Sequence, residues 1–351
     1  MQMLPIIVNT NFEKLGIIDN YISFIWSTRY YKCGDFELCL PINSKTLSLI
    51  KKDYYVMRED SEEIGIVENV KFTKVERLKD AEEQIIVSGR FLSSILDRRI
   101  IAQQTQFDNK TIPFIIESLI NDAIISPTMS ERKISNFLFV DDSGYTGKLS
   151  VQYTGKNLLE TIENLCETYG LGFKILLENG KFVFHLYSGI DRSYGQKTNP
   201  FVVFSSDYDN LESSDYEENY ASLVTDVLVA GEGEGLERKT IWANKQTNSG
   251  LNRYEVFQDA RNASTNNGEI SNDVYYQQLK DEGLTSVTTY TKAFSGSVFF
   301  NNYKYKKDID IGDICTIRNS DWDIYINTRL IEMIESTGED GSFKMTPTFG
   351  V

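Results

Sequence analysis

Hydrophobic and polar positions alternate through much of the first hundred residues. In FELCLP (36–41), Phe36, Leu38 and Leu40 fall on one face of an extended chain, the pattern of a half-buried strand. YYVMRED (54–60) and IGIVENVKFT (64–73) are two further β-rich runs, joined by the polar Asp60-Ser61-Glu62-Glu63, which predicts a hairpin. QIIVSGRF (84–91) predicts another strand. Short strands separated by polar turns suggest a small barrel or sandwich over residues 1–98.

The period changes near residue 92. RFLSSILDRRI (90–100) reads as a helical turn leaving the sheet. In TIPFIIESLINDAII (111–125), Ile112, Ile116, Leu119 and Ala123 recur at helical spacing, with Pro113 in the first turn, where a missing N–H is harmless. KNLLETIENLCETYG (156–170) carries a stripe of Leu158, Ile162, Leu165, Cys166 and Tyr169, closed by Gly170. LGFKILLENGKFVFHLYSG (171–189) then places two β-rich runs around Asn179-Gly180, which supplies the positive φ angles of a type I′ turn. Two helices and this hairpin predict an α+β unit over 99–205.

From about 206 the pattern returns to strands: YASLVTDVLVAGEG (220–233), SGSVFFNNYKY (295–305), DICTIRN (313–319), IYINTRLIEMIES (324–336) and SFKMTPTFG (342–350). A second β unit is therefore expected over 206–235 and 285–351. Residues 236–284 read as a polar insertion with one helix in SNDVYYQQLKDEGL (271–284). The expected class is mainly β with an α+β part.

Composition agrees and narrows the function. Aromatic residues make up 12% of the 351 residues and proline contributes only 6, a balance that favours strands. Lys and Arg number 36 against 51 Asp and Glu, a net charge of −15. Nucleic-acid binding draws on neutralisation of phosphates by basic groups, and anionic lipids draw on the same groups, so both are disfavoured. No stretch approaches the roughly 20 apolar residues of a membrane span. The start has no basic segment followed by an apolar run, so no signal peptide is expected and synthesis in a cytosol is. Residues 207–237 hold ten acidic groups and no Lys or Arg, two-thirds of the net charge.

Candidate chemistry is sparse. Cys33, Cys39, Cys166 and Cys315 form no CxxC pair and read as buried thiols. The single histidine, His185, lies in a strand with no nucleophile nearby in sequence. GEGEG (231–235) has the glycine density of a phosphate loop, but Glu232 and Glu234 would repel the anion and no helix follows. DIDIGD (308–313) starts like a calcium loop, yet its twelfth position is Asn319 instead of a bidentate Glu. YKYKK (303–307) interleaves Tyr and Lys but is too short for a single-strand platform. No catalytic, cofactor or metal residue is assigned. In GIDRS (189–193), Asp191, Arg192 and Ser193 leave the predicted hairpin and are candidates for an interdomain or interface tie.

Several stretches in order resemble the tail hub or tail-tip proteins of bacteriophages of Gram-positive hosts and of phage-tail-like particles. They are YKCGDFELCLPIN (31–43), GRFLSSILDRRI (89–100), YTGKNLLETIENLCETYGLGFKI (153–175), LYSGIDRS (186–193), NPFVVFSSDYDNL (199–211), IDIGDICTI (309–317) and RLIEMIES with TPTFG (329–350). GIDRS followed by PFVVFSSDYDNL is the most specific pair. The resemblance implies two tail-tube-type β-barrels with an intervening α/β domain and a small helical insertion. It implies a homotrimer joining a sixfold tail tube to a threefold spike at the tail tip of a virion or particle. The implied partners are the tail tube or distal tail protein, a spike or fibre protein and a tape measure protein, with DNA passing only in a true phage. In such a tube the acidic segment 207–237 would face the lumen, where phosphates should not be held. No enzyme activity and no cofactor is implied. The rival readings are a tail-tip peptidoglycan hydrolase and a host-surface-binding tip protein.

Overall fold

In a computed structural model of the chain the described residues are 3–74, 83–288, 291–295, 298, 300, 302–338 and 340–350. The fold is mainly β. Its backbone is one long sheet whose strands run in the order Asp215–Asn219, Thr291–Ser295, Phe343–Gly350, Ile324–Thr337, Ser23–Arg29, Asp35–Pro41, Gln84–Arg90 and Asn69–Thr73. Both ends of the chain therefore contribute four strands each. They meet where Glu332–Thr337 runs antiparallel to Phe24–Arg29. The 14-residue strand Ile324–Thr337 is shared, because its first half also pairs with Ile314–Asn319, which in turn pairs with Val203–Ser205. No sheet among the described residues closes on itself.

Strand alternation sorts the long sheet into two faces. Phe24 and Trp26 sit opposite Leu38 and Phe36, which sit opposite Val87 and Gly89, so the large side chains share one face and are buried. The expected alternation of Phe36, Leu38 and Leu40 is what places them there. A four-stranded sheet of Lys14–Ile17, Ile6–Val8, Tyr55–Met57 and Gly65–Ile66 packs its apolar residues into the same core. The short helix Ser44–Leu49, capped by Asn43 and Thr46, is not legible from periodicity because it spans under two turns.

The three expected helices are present. Ile112–Ile120 continues as a single wider turn over Asn121–Ile125, Leu158–Tyr169 starts at an Asn157 cap, and Asn272–Leu284 starts at Ser271. The expected turn at 90–100 is a 3₁₀ segment, Leu92–Arg98. The hairpin Gly172–Glu178 with Lys181–Tyr187 turns at Asn179 (φ 51°) and Gly180 (φ 74°), as the Asn-Gly pair requires. Phe137–Asp142 adds to it in parallel. Leu158, Ile162, Leu165 and Phe184 then join the same core as Trp26.

Two expectations are corrected. Residues 220–233 do not form one strand of the second β unit. Asp215–Asn219 is the edge of the long sheet, whereas Asp226–Ala230 is the centre of a separate three-stranded sheet with Thr240–Asn244 and Glu255–Asp259. The insertion thus contains a sheet as well as its helix. Its outer strands alternate only over five residues each, too briefly to stand out, and its helix buries Tyr275 and Leu279 against Val227, Val229 and Ala243. The run expected over 295–305 falls partly outside the described residues. What is described there is a strand at Thr291–Ser295 and a turn at 306–308.

Candidate assembly surface and interdomain seam

The second face of the long sheet is built mainly from polar side chains. Ser27, Arg29, Asp35, Glu37, Ser88 and Arg90 alternate with the large apolar residues of their strands, and Glu332, Ser336, Lys344, Thr346 and Thr348 continue the face across the junction. Ile25, Ile86 and Ile334 interrupt it. Its two arginines are partnered. Arg29 Nη1 lies 2.6 Å from Asp35 and its Nε 2.7 Å from Glu332, while Arg90 is held 2.9 Å from both Glu68 and Asp97. These carboxylates hold both guanidinium groups above their ordinary proton affinity; for Arg29 they do so against the opposing effect of burial. Among the described residues the main path of the sheet ends at two edges, and Val203–Ser205 forms another where the sheet branches. The first two are Asn69–Thr73 with Lys71, and Asp215–Asn219 with Asp215 and Glu217.

The acidic segment does not form one surface. Asp215 and Glu217 lie on the edge strand, but Asp226 is fully buried and bonded by Arg253 at 2.7 Å and Asn244 at 2.8 Å. Glu232 pairs with Lys239 at 2.8 Å and accepts from the Thr265 hydroxyl at 2.6 Å, and these bonds outweigh burial to bring its carboxyl to about 2. A charge count along the chain could not foresee this, because the neutralising partners lie in the insertion.

GIDRS lies where the predicted hairpin meets the C-terminal strands. Arg192 Nε donates to Asp313 Oδ2 at 2.7 Å, with both side chains nearly buried. The other Asp313 oxygen accepts the Ile190 N–H at 2.8 Å, and backbone bonds run both ways between 190–192 and Ile314. Asp191 turns inward on its own segment and accepts the N–H of Ser193, which is buried. Thus DIDIGD is a turn whose last carboxylate grips the preceding segment. Gly189 and Gly312 meet backbone to backbone, since a Cβ on Gly189 would stand 1.8 Å from the Gly312 oxygen.

Two residues that sequence reasoning missed bind this region to the N-terminal half. Tyr30, fully buried, donates to the Gly170 carbonyl at 3.1 Å and accepts the Gly189 N–H at 3.0 Å. Arg58 is fully enclosed, with Nη1 3.0 Å and Nη2 3.1 Å from the two oxygens of Glu335, and Nε and Nη2 bonded to Asp60 at 2.9 and 2.6 Å. Burial works against the Arg58 charge, but the two carboxylates raise its proton affinity overall. In the loop that follows, Glu63 has one carboxyl oxygen sealed from solvent and, among the described residues, without a partner, and burial pushes its pKa up to about 7 against the pull of Lys174. Glu62 meets Lys174 at 2.9 Å, and Lys306 reaches the Asp60 carbonyl at 2.9 Å. Nothing local to Arg58 marks it, since its partner Glu335 is 277 residues away in sequence.

The remaining candidates are structural in their surroundings. His185 bridges Asp142 at 3.1 Å and Glu178 at 2.8 Å across three strands. The four cysteines are buried and unpaired with one another. GEGEG ends a strand, with Glu232 engaged as described. Among the described residues no group of three or more His, Cys, Asp or Glu is arranged to hold a metal.

No curated protein matches the chain in sequence. Three solved structures share its fold along essentially the whole length. The tail protein from Neisseria meningitidis MC58 has a TM-score of 0.57 at 11% identity, covering 100% of this chain and 97% of that one. The 43 kDa tail protein of prophage MuSo2 from Shewanella oneidensis has 0.57 at 12%, covering 100% and 97%. Prophage tail protein gp18 from Listeria monocytogenes EGD-e has 0.55 at 13%, covering 99% and 94%. The family model for the Siphovirus ReqiPepy6 Gp37-like protein matches residues 5–351. The chain therefore belongs to the Siphovirus ReqiPepy6 Gp37-like protein family, and its fold is that of phage tail proteins.

Proposed function

We propose that the chain is the structural hub of a tail, acting as a trimer that joins a sixfold tube to a threefold spike or fibre. One observation carries this reading. Along the main path of one sheet each chain contributes four strands from either side of the pairing of 332–337 with 24–29, with 314–319 and 203–205 branching from the C-terminal side. Three copies would present six such halves to the tube and three copies of everything else to the spike. The two halves then play the part of two tube-type barrels, completed by neighbouring copies instead of closing within one chain.

The open edges support a ring. Unpaired strand edges invite a further strand, and a cyclic trimer joins unlike patches head to tail. Here Lys71 stands on one edge and Asp215 and Glu217 on the other, so the edges are complementary in charge. The polar sheet face, with Arg29 and Arg90 neutralised by carboxylates, suits a lumen through which a tape measure protein or DNA passes without sticking. Asp191, Arg192 and Ser193, through Asp313, serve as the tie that fixes the α+β unit against the C-terminal strands. The chain acts by assembly, with the tube or distal tail protein above and the spike or fibre below. Electron microscopy of purified particles labelled with an antibody to this chain tests the placement. Label at one tail end is expected, and label spread along the tube would contradict it.

A further inference from the structure

The insertion carries a cleft of about 570 Å³ that the hub reading leaves unused. It opens between the small sheet and the two chain segments that lead into and out of it. Tyr220 and Tyr254, 49% and 43% exposed, and the half-buried Leu223 and buried Val287 supply its apolar walls. Its polar lining is unlike the rest of the molecule. In a chain of net charge −15, none of the lining residues is a carboxylate. Lys245, Gln246 and Asn252 line it instead, and among the described residues neither the Lys245 ammonium nor the Asn252 carboxamide has a protein partner.

We propose that this cleft binds a saccharide bearing N-acetyl groups, which gives the hub a contact with a glycan surface. Aromatic side chains with an apolar body offer flat surfaces for the C–H faces of a pyranose, and a few convergent amide groups fix its hydroxyls. The acetamido group selects among sugars. Its methyl fits the wall of Leu223 and Val287, and its carbonyl needs a donor, which Lys245 and Asn252 supply. The lining carries a single positive charge, too little for a polyanion, and no negative charge for a cationic ligand. A second, larger cleft of about 800 Å³ shares Lys245, Val287 and Thr288 and extends the groove past Gly170, where Glu167 and Arg329 add one charge of each sign, room for more than one sugar unit.

The test uses the purified full chain. Saturation-transfer NMR and calorimetry are run with N-acetylglucosamine, N-acetylgalactosamine, N-acetylmannosamine and chitotetraose, with cellotetraose as the same backbone lacking acetamido groups. Saturable binding of at least one N-acetylated sugar, stronger than cellotetraose, is expected. Tyr254→Ala is expected to weaken it about tenfold, roughly the loss of one well-packed contact. Lys245→Ala and Asn252→Ala, both at exposed positions that leave folding alone, are expected to weaken it in the same direction. Trp322→Ala, in the turn between Ile314–Asn319 and Ile324–Thr337, is the control and leaves binding unchanged. No saturable binding by any N-acetylated sugar overturns the proposal, as does binding that all three cleft variants retain. Protection of 245–254 from hydrogen exchange on self-association, without any effect of sugar, would assign the cleft to contacts between copies and also overturns it. None of these results bears on copy number, so the hub reading stands or falls separately.

Discussion

Replacing Arg58 by methionine keeps the aliphatic stem and removes the charge that joins the N-terminal loop to the C-terminal strand. In the native chain the guanidinium makes two bonds to Glu335 at 3.0 and 3.1 Å and two to Asp60, and stands 5.6 Å from the Trp26 ring centroid. After the substitution Glu335, 6% exposed, retains only Lys306 at 3.8 Å. Removing one member of a buried pair costs about 3–5 kcal/mol because the other is left charged and dry. The retained Lys306 and the 30% exposure of Asp60 place this case near the lower end, at about 3 kcal/mol. Urea unfolding followed by Trp26 fluorescence reads this directly, in a background where the exposed Trp242 and Trp322 are phenylalanine. The double variant Arg58→Met/Glu335→Met removes both charges and is expected to recover most of the loss, since an apolar pair of similar volume is tolerated where a lone charge is not. A single variant within about 0.5 kcal/mol of the parent, or a double variant whose loss equals the sum of the singles, would refute a seam held by this pair.

The seam also predicts a pH dependence. Glu63 binds its proton more tightly in the folded chain, at about 7 against an ordinary 4.5, so its contribution to folding stability is fully present below about 4.5, is lost as pH rises to about 7, and is absent above it, opposite in sign to that of carboxylates held low such as Glu232. Glu63→Gln removes this slope and gains up to about 3 kcal/mol over the parent at pH 8, read by thermal unfolding across pH; parallel profiles would count against the sealed carboxyl. Arg192→Ala leaves Asp313 with only backbone donors and is expected to cost about 2 kcal/mol and to loosen 190–199 in hydrogen exchange, whereas unchanged exchange would argue against a tie. Gly180→Val forces a β-branched residue to φ near +74° and is expected to cost about 1–2 kcal/mol in a melt; an unchanged melting point would mean the turn relaxes.

Periodicity carried the sequence reading where elements were long or had a distinctive turn. The stripe in 158–169, the Asn179-Gly180 hairpin and the alternation in 36–41 each bury one face, so pattern and packing coincide. Reading failed where strands are short and the partner is distant. The insertion sheet has three five-residue strands, and its central strand DVLVA looks from sequence like part of the neighbouring β unit. The seam was out of reach for a related reason. Arg58 looks like any polar loop residue, and only the pairing of 24–29 with 332–337 brings Glu335 beneath it. GIDRS stands out by resemblance and by its place after the hairpin, while nothing in the sequence pairs it with Asp313, which opens a predicted strand more than 100 residues later. The acidic segment shows the limit of counting charges, because half of its meaning lies in the arginines and lysines that fold onto it.

The central claim is a symmetry match, so the decisive quantity is the number of copies of this chain at one tail end. Quantitative mass spectrometry of purified particles, normalised to the tube protein, measures it, and a reconstruction of the tail tip checks the arrangement. The account predicts three copies, with the strand 69–73 of one chain beside 215–219 of the next. Six copies would make the chain a tube or distal-tail ring, many copies per particle would make it a repeating tube subunit, and either result would contradict the hub.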